Sequence, residues 1–228
     1  MEAARSLLGD AHRRAAATGS RPLELRAQVN LGILELDVGN LAVACTTLDE
    51  AAELAERSGL AWSSYGLNAK VLGGIAHYTA GDWDQAERVA VAADDRRPAA
   101  GPLSAVALFV EVGRGRPSAT ERLERLAPFR DADPFADYLA GGCEADLARW
   151  QGELERSSEL ARSTLSTQEE AGAPWVLSAI WPAALALAAE GDLAERARAA
   201  GDQAARAAHL AAGQELLGRA QAALQRAR

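Results

Sequence analysis

Gly81-Asp82-Trp83-Asp84-Gln85-Ala86-Glu87-Arg88-Val89-Ala90 reads as the end of one helix and the start of the next. A glycine closes a helix in the left-handed conformation, which it adopts without a Cβ penalty. Asp82 then opens the following helix in a D-x-x-Q capping box with Gln85. Trp83 is the apolar anchor, and Ala86, Val89, Ala90 and Ala93 recur at helical spacing until Pro98 stops the run. The same order of glycine, capping residue and anchor returns at Gly39-Asn40-Leu41, Gly152-Glu153-Leu154 and Gly191-Asp192-Leu193, with a degenerate copy at Gly115-Arg116-Pro117. Successive spacings are 42, 34, 37 and 39 residues. A period in this range, with helix on both sides of the turn, specifies a solenoid of helical hairpins. The expected fold is an all-α right-handed superhelix of about five hairpins, forming a single domain over residues 1–228.

The expected hairpins run over 23–58, 61–97, 103–130, 135–170 and 174–211, with flanking helices over 3–17 and 214–226. Residues 3–17 read as the second helix of a hairpin whose first helix is missing, as in a piece cut from a longer protein. Asn40 is expected to cap its helix by accepting from free N–H groups, and Ser118-x-x-Glu121 and Asp192-x-x-Glu195 read as further caps. Pro182 falls inside the first helix of the last hairpin, where it should kink it. The junctions Ser58-Gly59-Leu60-Ala61-Trp62 and Ala171-Gly172-Ala173-Pro174-Trp175 resemble each other, and Thr18-Gly19 and Ala212-Gly213 read as closing glycines too.

Hydrophobic residues make up 49% of the chain but aromatics only 5%, so alanine carries the difference and the core should be a thin one of Ala and Leu. The net charge of −8 argues against duplex DNA, whose affinity rests on phosphate neutralisation, and against an anionic membrane surface. Residues 195–228 hold six Arg against three acids, which favours a solvated helix face over a basic DNA-binding extension. Cys45 and Cys143 lie far apart with no C-x-x-C, as expected of reduced thiols, and neither a signal peptide nor a membrane span is legible. A cytoplasmic protein is the expectation.

Two hairpins carry residues that resemble the tetratricopeptide pattern: Leu31, Gly32, Gly39, Ala44 and Ala51 in one, and Gly74, Gly81, Trp83, Ala86, Ala93 and Pro98 in the other. Long, acidic, Ala- and Arg-rich repeats with a G-x-x-W junction resemble one group in particular. This is the helical-repeat region of LuxR-type large ATP-binding transcription regulators, which lies between an ATPase module and a helix-turn-helix. The resemblance implies a role in sensing an inducer or partner. No P-loop occurs in this chain and no DNA-binding helix-turn-helix is evident, so DNA binding would belong to other parts of such a regulator.

His12, His77 and His209 lie in different hairpins with no ligand at metal-binding spacing. No nucleophile motif is present, and Asp94-Asp95 and Glu169-Glu170 read as solvated faces. Neither catalysis, a metal nor a cofactor is therefore expected. Function is expected on the first helices of the hairpins, which line the inner groove of such a stack. Positions there include Arg26, Val29, Asn30, Ile33, Asn68, Val71, Ile75, Tyr78, Asp146, Arg149, Ser178, Trp181 and Leu185, and Asn30, Asn68, Tyr78, Arg149 and Trp181 are the candidate ligand or partner contacts. Trp62, Trp83 and Trp175 read as packing residues. Tyr78 and Trp181 offer flat apolar area with a polar tip, and Arg149 a fork for a carboxylate. The expected occupant of this concave groove is a protein, a peptide or a small-molecule inducer, with an oligomer allowed; a stand-alone protein–protein scaffold is the alternative.

Overall fold

The computed structural model describes residues 2–91, 100–170 and 179–226. Every regular element among them is helical. The helices are α1 (Glu2–Ala17), α2 (Arg21–Asp37), α3 (Leu41–Arg57), α4 (Ser64–Thr79), α5 (Trp83–Val91), α6 (Ala100–Gly113), α7 (Ser118–Arg130), α8 (Pro134–Trp150), α9 (Leu154–Glu170), α10 (Ile180–Ala200) and α11 (Gln203–Arg226). They form two compact units, Met1–Arg114 and Gly115–Arg228, so the expected hairpin over 103–130 is divided between them.

Within the first unit each helix packs on its successor from α1 to α6, and α4 also touches both α2 and α6. The even-numbered helices therefore form one row and the odd-numbered helices the other. The second unit repeats the scheme from α7 to α11, with α8 touching α10 directly. Each unit is thus an all-α stack of antiparallel hairpins, as the turn period predicts.

The turns explain the helix ends. Gly19, Gly39, Gly59, Gly81, Gly115, Gly152 and Gly201 all have φ between 64° and 86°, the region that glycine enters without strain. Asp82 accepts from the Gln85 N–H, as expected of its capping box. Asn40 does not act as expected: its side chain donates to Glu35 rather than accepting from α3. Ser118 is already helical, behind Pro117 at the cap position, so no capping box forms there.

The last hairpin differs more. Gly191-Asp192-Leu193 is no turn: α10 runs through it, flanked by helix-favouring alanines. The turn lies at Gly201-Asp202, where Asp202 caps α11 by accepting from the Ala205 N–H. The expected helix over 214–226 is the second part of α11, and Gly213 lies inside it. The hairpin expected over 174–211 is therefore α10 and α11 with a later turn, and Asp192-x-x-Glu195 caps nothing. Pro182 sits in the first turn of α10, where its missing N–H costs no intrahelical bond, so the expected kink has no cause. Ala93, Asp94, Asp95, Pro98, Gly172, Trp175 and Ser178 lie outside the described residues.

The core is Ala and Leu, as the composition implies. The largest fully buried side chains are Leu and Val, with Pro182 and Cys143, and no aromatic ring is among them. Helices meet closely where a side chain is missing. A Cβ on Gly32 would lie 2.6 Å from Leu48, and one on Gly74 would lie 2.7 Å from Val106. Both Cys45 and Cys143 are buried and unpaired with each other, and burial pushes both thiols up. No helix among the described residues is long and apolar enough to cross a membrane.

The reassigned turn makes opposite predictions for two glycines. Gly191 lies mid-helix with open space where a Cβ would sit, so Gly191→Ala should stabilise the chain by about 0.5–1 kcal/mol. Gly201 holds φ 75°, so Gly201→Ala should destabilise it by about 1–2 kcal/mol. Urea unfolding of both variants decides between this turn and the Gly191 turn, which would reverse the two signs.

Candidate binding surface

The five expected contact residues fall in both units. Asn30, Asn68 and Tyr78 belong to the first, Arg149 and Trp181 to the second. All five stand on even-numbered helices, as expected of first-helix positions. Asn68 is exposed on α4 and Asn30 is half-buried on α2.

Tyr78 and Trp181 are tied into packing. The Tyr78 ring stacks on Trp83, with centroids 5.2 Å apart and planes within 4°, and lies 4.0 Å from Phe109. Its hydroxyl end backs onto Gly113, where any Cβ would overlap the ring. Trp83 donates its indole N–H to the Tyr78 carbonyl at 3.1 Å, so it is the structural anchor that its position after the turn implies. Trp181 lies edge-on to Tyr138 at 5.5 Å and covers Gly142, which has no room for a Cβ. Both rings are half-buried. Arg149 is likewise engaged, donating to Asp192 at 2.8 Å. Trp62 carries Lys70 over its ring at 5.1 Å.

One concavity does involve the expected residues. A pocket of about 370 Å³ opens between α1 and α2, with Asn30 and Arg26 on its wall. Leu8, Ala11, Leu23 and Ala27 make most of the rest, so the lining is largely apolar with polar groups at its edge. Leu23 is 58% exposed there. Such a surface binds apolar groups by water release and selects among them by its few polar atoms.

Buried polar residues follow a pattern that the motif reading does not anticipate. Glu35, His77 and Glu111 are all buried, and each stands four residues before a turn glycine. Glu35 accepts from Arg5 at 2.6 Å and from Asn40 at 2.7 Å, and these bonds, Arg5 first, hold its carboxyl below the usual range. His77 meets Asp49 at 3.0 Å. The recurrence of an ionisable residue at a fixed distance from the glycine was the available signal. Glu35 and His77 each pin an even-numbered helix to its odd-numbered neighbour.

The second unit has its own polar node. Glu190 accepts from the Ser158 hydroxyl at 2.6 Å, meets His209 at 2.8 Å and faces Arg162 at 3.3 Å. Burial pushes its carboxyl up, but Ser158, His209 and Arg162 together outweigh that and hold it down. Among the described residues no cluster of three or more His, Cys, Asp or Glu is arranged to hold a metal ion. No family model, no curated protein and no solved structure matches this chain.

Two outcomes follow from this packing. Tyr78→Ala and Trp181→Ala should each destabilise the protein by roughly 1–3 kcal/mol in urea unfolding, because each ring fills space that glycine leaves for it. Unchanged midpoints would mean that the rings are surface groups. Glu190, with a lowered folded-state carboxyl, adds stability that is present above the unfolded value near 4.5 and is lost as pH falls through the folded one. The stability gap between the wild type and Glu190→Gln should therefore narrow below about pH 4.5, and a gap constant from pH 7 to pH 3 would exclude this linkage.

Proposed function

We propose that this chain is a non-catalytic binding module of tetratricopeptide-like hairpins, the ligand- or partner-sensing region of a LuxR-type transcriptional regulator in the bacterial cytoplasm. The observation that carries the binding reading is the apolar pocket whose wall includes Asn30 and Arg26, first-helix residues of a hairpin stack. Stacks of this kind offer continuous faces of side chains far apart in sequence, which suits recognition of a peptide or an amphiphilic small molecule. Further support for binding over chemistry is the engagement of buried polar groups such as Glu35 and Glu190 in hairpin-to-hairpin bonds. The regulator reading rests on the acidic, Arg-rich repeats and the G-x-x-W junction.

The test is an NMR titration of the labelled chain against small-molecule and helical-peptide libraries. A ligand is expected to shift amides on α1 and α2, the walls of that pocket. Asn30 lines the pocket, so Asn30→Ala should weaken that ligand about fivefold, the worth of one hydrogen bond. In the regulator the same substitution should lower inducer-dependent transcription of a reporter. Binding confined to other helices, or turnover of the ligand, would overturn the proposal.

A further inference from the structure

We draw no further inference here: the strongest candidate, the indole of Trp150 at the C-terminal end of α8, 74% exposed with Asp146 as its hydrogen-bond partner, is an unpartnered apolar face, and nothing in the structure shows what covers it.

Discussion

Two antiparallel helices cannot bury both of their apolar faces, so each hairpin here depends on the next for the wall that completes its core. Leu25 and Val29 are buried because α3 and α4 together offer Ala51, Ala55 and Ala69 as a shallow floor. The floor is shallow because it is made of alanine, and α2 can come close because Gly32 leaves room for Leu48. Small residues thus do two things at once. They shorten the distance between helices, and they restrict the core to Leu and Val knobs, so the few rings are pushed to its margins as half-buried plates such as Tyr78 and Trp181.

That economy has an electrostatic counterpart. A thin aliphatic core gives little directional preference for one helix rotation over another. Buried polar groups supply it, since a carboxylate that loses its partner in such a place costs more than the bond is worth. Glu35 and His77 occupy one position of the repeat, and each reaches the odd-numbered helix that precedes its own pair, by way of Arg5 and Asp49. In the second unit Ala148 and Ala197 stand four residues before their turn glycines, and Glu190 does the pinning from another position. The two units thus solve the same problem with different residues.

This contrast also explains what the sequence reveals. A left-handed turn needs glycine, so Gly39, Gly81, Gly115 and Gly152 are legible as turns from their neighbours alone. Gly191-Asp192-Leu193 copies the triplet, but Ala188, Ala189 and Ala194 carry the helix through it, and the real turn at Gly201-Asp202 lacks an apolar anchor because Gln203 follows. The helix faces were legible; the neighbours of each side chain were not. Arg149 meets Asp192 and Glu190 meets Ser158 across 43 and 32 residues, and no local pattern links such partners. Tyr78 and Trp181 look like presented rings in one dimension because Gly113 and Gly142, the spaces they fill, lie 35 and 39 residues away.

What distinguishes a binding face from a packing face in such a fold is completion. Where a following hairpin or a ring closes a groove, its residues answer to stability, as Leu54 and Tyr65 do beneath α2. The α1/α2 groove keeps the alanine floor but replaces a knob-facing leucine with an arginine and leaves Leu23 more than half exposed. Arginine at that position is costly if a hydrocarbon helix is to lie on it, because its charge would be desolvated without a partner. The same residue is favourable if the occupant brings its own carboxylate, since a partly desolvated charge pair on an apolar slot couples specificity to the aliphatic contact.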